Sequence, residues 1–423
     1  MTISQRDFAE QVVRQLTDAG FTALWAGGCV RDLLVGREPK DYDVATSARP
    51  EQVREVFGKR RTLSVGESFG VIVVLGPKSA GQVEVATFRT DGNYLDGRRP
   101  ESVVFSSPEE DAQRRDFTIN GMFYDPLKKE VMDFVGGEQD LAAGVLRAIG
   151  DPHARMEEDK LRMLRAVRFA ATFNFELDVA TADAVRSMAD QISVVSAERI
   201  AQELRRMLVD SHRSRAIELC QEVGLLLRII PELEAVVSDR DSWTRLQNGL
   251  ASLVKPGFAL AFGLLLDSVI GAAKEAGTND FRLAEVVGRR LKLSNHEIDA
   301  TAWLLSQRRS LDNAADLPLS RLKRILANTR APDLIALVRA RTLAESEPPA
   351  DADFCEQYLK NTDREVLDPS PLISGDDLIK AGFRPGPKFK ELLDRVRDAQ
   401  LDLQISEAAE AMELAAQLVH DDK

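Results

Sequence analysis

Between Leu24 and Thr46 the chain reads LWAGGCVRDLLVGREPKDYDVAT: a short apolar run, two glycines, one or two helical turns, a charged loop, and a second short run carrying Asp41 and Asp43. Side chains alternate along a strand, so Asp41 and Asp43 share one face while Tyr42 and Val44 take the other. Two carboxylates a residue apart repel unless a cation sits between them, and paired hard oxygens suit Mg²⁺. Gly27 and Gly28 allow a tight turn and leave the backbone open at a helix start, where amide N–H groups and the helix dipole favour phosphate. Phosphate and metal would then share one pocket. Taken singly, an Asp-x-Asp pair is more often a solvated loop and a Gly-Gly step only a turn.

The surrounding stretches predict a mixed sheet backed by helices. Ser4, with Asp7 three residues on and apolar Phe8, Val12, Val13 and Leu16, marks an amphipathic helix ending near Gly20. Pro50 opens a helix to Phe57. Strand-like runs follow at Gly70 to Leu75 and Gln82 to Arg89, the latter setting Glu84 opposite Val83 and Val85. Residues 90–108 are rich in Gly, Asp, Asn and Pro and read mainly as loop. A strand pair is expected at Gly121 to Tyr124 and Glu130 to Phe134. Beyond Leu146 the periodicity is helical almost throughout, which places a domain boundary near residue 150.

Composition narrows the class. A chain of 423 residues holds more than one domain. The N-terminus lacks the apolar centre of a signal peptide and no run of about 18 apolar residues occurs, so a cytosolic protein with no membrane partner is expected. Cys29, Cys220 and Cys355 are too scattered for a disulfide framework or structural zinc. The net charge of −12 lowers the expectation of non-specific RNA binding, although a local basic stripe can still grip one RNA.

The ordered combination GGxVRD, spacer, DxDxAT resembles the opening motif of the polymerase beta nucleotidyltransferase superfamily. More narrowly it resembles the class II tRNA nucleotidyltransferases, or CCA-adding enzymes, and their relatives the bacterial poly(A) polymerases. That resemblance implies an α+β fold: a polymerase-beta-like head of mixed sheet and helices at residues 1–148, a helical neck at 149–235 that recognises the base, a helical body at 236–343 and a helical tail at 354–423. It also implies metal ligation by Asp41 and Asp43, with Glu84 as a third catalytic carboxylate or merely a solvent-facing acid, and phosphate contacts from Gly28 and Arg31, with Asp32 as a structural partner of Arg31. Arg114, Arg115, Asp116 and Asn120 resemble the RRDFTxNA segment that senses the ribose 2′-hydroxyl, with Gly121 where Ala is usual.

Residues Glu157 to Ala171 predict one helix with Asp159, Arg162, Arg165 and Arg168 every third residue along a slowly turning stripe. Such a stripe is ordinarily a salt-bridged solvent face. Its resemblance to the family's EDxxR motif implies instead that Asp159 accepts from an exocyclic amine and Arg162 donates to ring acceptors, with Arg165 and Arg168 on phosphate or bracing the pair. Cytosine and adenine share an amine beside an unprotonated ring nitrogen, whereas uracil and guanine do not. Gly150, Asp151, Pro152 and Arg155 resemble the head-to-neck hinge. Glu198, Arg199, Ile200, Glu203 and Leu204 resemble a brace for the EDxxR helix, and Asp91, Tyr94, Asp96, Arg98 and Arg99 the loop that helps change specificity from C to A.

The second half resembles the family only weakly. His153, His212, His296 and His420 are too few for the phosphohydrolase some relatives carry, and Leu266 precedes Asp267 where that site needs His. Residues 372–391 read as helix, Gly-Pro turn, helix, with Gly382, Gly386, Lys388 and Lys390 able to hold an RNA backbone or simply to pack as a hairpin. The resemblance implies addition of C, C and A to the tRNA 3′ end from CTP and ATP with Mg²⁺. An A-adding enzyme or a poly(A) polymerase shares the motifs. A catalytically idle RNA-binding scaffold is the alternative of a different class.

Overall fold

A computed structural model of the protein describes residues 3–64, 70–91, 103–272, 280–383 and 388–421. The chain divides into two compact units, Met1–Met207 with Arg215–Pro231, and Leu208–Ser214 with Glu232–Lys423. In the first, α1 (Gln5–Asp18) opens with a reciprocal cap: Ser4 Oγ accepts the Asp7 N–H at 3.1 Å, and the Asp7 carboxylate accepts the Ser4 N–H at 3.3 Å. Then come β1 (Ala23–Ala26), α2 (Gly28–Leu34), β2 (Asp43–Thr46), α3 (Pro50–Phe57), β3 (Thr62–Leu63), β4 (Val71–Leu75), β5 (Gln82–Thr87), β6 (Arg89–Asp91) and β7 (Val103–Phe105). The head closes with α4 (Pro108–Gln113), β8 (Phe123–Asp125), β9 (Glu130–Met132), α5 (Gly137–Ala143) and β10 (Val145–Leu146).

Seven strands form one sheet in the order β3-β4-β5-β2-β1-β8-β9, with β2 parallel to β5 and antiparallel to β1. Alternation along the strands feeds two cores. Trp25, Val44, Val83 and Val85 point to the face covered by α1 and α3, where Phe8, Val12, Val13, Val53 and Phe57 are buried. Leu24, Ala45, Phe88 and Phe123 fill a smaller core on the opposite face. Burying about a dozen such side chains, each worth roughly 1.5–3 kcal/mol, holds the central strand rigid. The register then lines up three residues across neighbouring strands: Ala26 opposite Asp43, and Asp43 opposite Glu84.

Of the stretch 90–108, residues 92–102 lie outside the described residues; at its two ends β6 and β7 pair antiparallel and Ser107 caps α4. Tyr94, Asp96, Arg98 and Arg99 lie outside the described residues, as does Gly386. Within the first unit, β10 pairs with β11 (Glu176–Leu177) across residue 150. Two expectations need correction, both within Glu157 to Ala171. The single helix from Glu157 to Ala171 is two helices, α6 (Pro152–Glu158) and α7 (Leu161–Phe173). Asp159 sits between them in extended backbone, φ −149° and ψ 105°, and its Oδ1 accepts the Leu161 N–H at 3.0 Å. A side chain that satisfies the first amides of the next helix competes with helix continuation, and periodicity does not reveal it. Finally, Asp159 is therefore off the arginine stripe.

Next are α8 (Val179–Met188) and α9 (Ala197–Val209). The second unit is helical throughout its described residues; the pairing expected over 372–391 is present as Gly375–Lys380 and Lys388–Leu401, packed through Leu378, Leu392 and Val396. No described helix is long and apolar enough to cross a membrane.

Candidate active site

The sheet fixes the first part of the site. Asp41 and Asp43 are both exposed while Tyr42 and Val44 are buried, so the alternation continues through Asp41 although β2 begins only at Asp43. Partial burial, then the charges of Glu84 and Asp41, push the Asp43 carboxyl up to about 6, against relief from Arg115. Among the described residues no three His, Cys, Asp or Glu side chains converge closely enough to cage a metal ion. Gly27 follows Asp43's partner Ala26 with φ 71°, a backbone that L side chains rarely adopt, and a Cβ there would stand 3.1 Å from Arg115 Nη1. Cys29 lies beneath, with Sγ 3.2 Å from the Ala26 carbonyl, and burial pushes its thiol up to about 11, which makes it inert.

From this strand a chain of charge-assisted contacts runs outward. Arg31 is buried; it donates to Asp32 Oδ1 at 2.9 and 2.7 Å and to Asn120 Oδ1 at 2.7 Å. Asn120 Nδ2 donates to Asp116 Oδ1 at 3.0 Å, and Arg165 donates twice to Asp116 Oδ2, at 2.9 and 2.6 Å. Burial alone would raise the Asp116 carboxyl; Arg165, with Asn120, holds it down to about 2. Asp111 on α4 holds both Arg114 and Arg115, through contacts of 2.9 Å with each, and Arg115 reaches the Asn120 carbonyl at 3.3 Å.

The helical part is braced by α9. Arg199 forks onto Asp159 at 3.1 and 2.7 Å, and the buried Glu203 pairs with both Arg168 and Arg206. Arg162 pairs with Glu158 and donates to the Arg155 carbonyl at 2.9 Å. Arg165 and Arg168 are thus tied to Asp116 and Glu203. Asp159 Oδ1 already has two donors and Oδ2 one, which leaves a lone pair on Oδ2. Arg155 ties α6 to the segments beside it, donating to the Ile149 carbonyl at 3.1 Å and the Gln113 carbonyl at 2.7 Å.

These groups converge on one cavity of about 560 Å³, within the range of about 300–1,000 Å³ usual for small-molecule sites. Gly28, Arg31, Asp43, Arg115, Asp116, Asn120, Asp159, Arg162, Arg165 and Arg168 all line it, as do Gly27 and Arg114. Asp41 and Glu84 do not line it, and stand beside Asp43. Sequence reasoning missed Phe169 and Arg206, which also line the cavity, and the buried Asp111 beneath it. Phe169 carries the Arg31, Arg165 and Arg168 guanidinium carbons at 5.2, 5.2 and 3.9 Å from its ring centre. Asp111 was findable, since it stands three and four residues before Arg114 and Arg115 at helical spacing.

A mixed sheet with crowded acids on its central strands, a Gly-Gly turn beside them and a nucleotide-sized cavity rich in arginine is the head of a nucleotidyltransferase. Residues 23–147 match the family described as Poly A polymerase head domain, and residues 174–236 the family described as Probable RNA and SrmB-binding site of polymerase A. The CCA-adding enzyme of Lactobacillus helveticus is 31% identical over 424 residues, covering 96% of this chain and 95% of that protein. Poly(A) polymerase I of Haemophilus influenzae is 36% identical over 254 residues, covering 56% and 55%. The crystal structure of the Bacillus stearothermophilus CCA-adding enzyme in complex with CTP matches with a TM-score of 0.77 and 27% identity over 99% of both chains. This chain belongs to the family of class II tRNA nucleotidyltransferases and bacterial poly(A) polymerases.

Proposed function

We infer that this protein adds C, C and A to the 3′ end of tRNA, using CTP and ATP and releasing pyrophosphate. The observation that carries the reading is the single cavity in which a sheet-borne carboxylate, several arginines and the Asp159–Arg162 constellation meet. Full-length similarity supports CCA addition over poly(A) synthesis: two relatives named CCA-adding enzyme align over 96% and 92% of the chain and two more over 51%, whereas the poly(A) polymerases align over 55–65%.

In this reading Arg31 and Arg115 hold the triphosphate, Asp116 and Asn120 meet the ribose, and Asp159 and Arg162 read the base. The lone pair left on Asp159 Oδ2 accepts an exocyclic amine. Arg162, with its Nη1 engaged by Glu158 and the Arg155 carbonyl and its Nη2 donating to the Arg114 carbonyl at 3.4 Å, keeps Nε–H and the second Nη2–H for ring acceptors. Because Arg199 fixes Asp159 from behind, the reader is preorganised and one pair serves both C and A. The crowded carboxylates fit a divalent cation: Asp43 is raised by its neighbours Glu84 and Asp41, a repulsion that a cation relieves. Asp41 and Asp43 would hold Mg²⁺, which when bound supplies activation of the attacking 3′-hydroxyl and neutralises charge on the triphosphate. Glu84, one strand over, adds a third negative charge to that site.

Incorporation of labelled nucleotide into tRNA tests this directly. Asp43→Ala with its fold retained should abolish Mg²⁺-dependent incorporation; activity that survives the change would refute the metal assignment. A non-catalytic scaffold would show no incorporation in either protein.

A further inference from the structure

The helical unit has a second polar cavity, of about 220 Å³, walled by the helices Arg240–Ser252, Phe258–Ala272 and Ala331–Ala344 and by the turn after Asn295–Gln307. Four arginines line it, Arg245, Arg308, Arg309 and Arg341, against two acids, Asp267 and Glu345. In a chain with 56 basic and 68 acidic residues that ratio is inverted. The arginines come from three separate parts of the sequence, so no run of like charge along one helix accounts for them.

Their arrangement is built from below. Asp267 is buried, with Arg308 Nη1 3.4 Å from Oδ1 and Arg341 Nε 3.4 Å from Oδ2. Arg341 also donates to the Arg308 carbonyl. One carboxylate orients two guanidinium groups. Arg245 is held at 2.9 Å by Ser242 Oγ, and Arg309 is exposed. The surplus charge and the planar forks suit an oxyanion. The volume falls below the range of about 300–1,000 Å³ that whole small molecules occupy, so the cavity is sized for a single group.

We propose that this cavity binds one phosphate group, anchored by Arg308 and Arg341 on Asp267 and gated by Arg245 and Arg309. The phosphate belongs either to an RNA backbone, which rests on the functional reading above, or to free inorganic phosphate. The test uses the full chain carrying Arg245→Gln and Arg309→Gln together, which leaves the Asp267 pairs intact. Binding of a tRNA without its CCA end is measured from about 50 to 200 mM salt, and the logarithmic salt slope should become shallower by about 0.9, one duplex phosphate's worth of counterion release. Arg289→Gln, exposed on the helix Asp280–Arg290, should leave the slope unchanged. In parallel, calorimetric titration with inorganic phosphate should show one fewer site in the double variant if free phosphate is the ligand. A changed slope assigns the site to RNA; an unchanged slope with a lost phosphate site assigns it to the free anion. Neither change in a folded variant, or an equal change in Arg289→Gln, overturns the proposal. The phosphate titration does not depend on RNA binding, so its failure is separable from failure of the proposed activity.

Discussion

Asp43, proposed above to hold metal, shows how a residue kept for a site strains its own fold. Its carboxyl rises from an ordinary 3.8 to about 6, so the folded state holds the proton more tightly than the unfolded chain does. The stabilising contribution is therefore complete below about pH 3.8 and is lost as the pH rises through 6. We expect Asp43→Asn, without divalent cation, to raise the melting temperature at pH 8 and to make little difference at pH 4. Equal shifts at both pH values would contradict this. Added Mg²⁺ should stabilise the parent and not the variant. Asp116 has the opposite sign: held down to about 2 chiefly by Arg165 against the cost of burial, it supports the fold above 3.8 and ceases to do so as the pH falls toward 2. At this scale the sequence pointed to most of the residues that line the cavity and missed Phe169, Arg206 and the side chains that hold the rest. Phe169 reads as one more apolar residue on a helix, and nothing in a linear pattern shows three guanidinium groups around its ring. Each such contact is worth about 0.5–2 kcal/mol. We expect Phe169→Leu to lower stability by about 1–3 kcal/mol and, in the folded variant, to raise the KM for nucleotide about tenfold, the effect of roughly 1.4 kcal/mol, with Phe169→Tyr restoring it; an unchanged KM would leave the ring a packing role only.

At the scale of elements, the break between α6 and α7 is the decisive feature. A continuous helix would have put Asp159 in register with the arginines; the break frees its backbone and turns its carboxylate toward Arg199. The sequence pattern showed the spacing of the charges but not the side chain's competition for the Leu161 amide, so it predicted one helix. We expect Asp159→Ala to loosen discrimination against UTP and GTP in incorporation assays, and an unchanged nucleotide preference would remove the residue from base reading. Glu203 on α9 is buried and holds both Arg168 and Arg206. Removing one partner of a buried pair typically costs about 3–5 kcal/mol. With Arg206 largely exposed and able to turn to solvent, Glu203→Ala should cost near the lower end, about 3 kcal/mol, measured by urea unfolding. A loss under about 1 kcal/mol would place the pair among surface bridges.

Across the whole molecule, strand alternation and helical periodicity made the two architectures legible: a sheet that must be covered on one face, then helices. The compact units divide at Pro231 and Glu232; what periodicity does not show is the pairing of β10 with β11, strands of two residues each whose partners Val145 and Glu176 are separated by sequence that otherwise reads as helical. Net charge was a poor guide as well. An acidic chain concentrates Arg31, Arg114, Arg115, Arg162, Arg165, Arg168 and Arg206 around one cavity with three aspartates, so the local field is the reverse of the global one. Whether that cavity adds three nucleotides and stops is read most directly from product length. Transfer RNAs ending before CCA, after C and after CC are supplied with CTP, ATP or both. Addition of C, C and A followed by a stop is the expected result. A single A on the CC-ended tRNA alone, a long A tail, or no product at all would each contradict the proposed function.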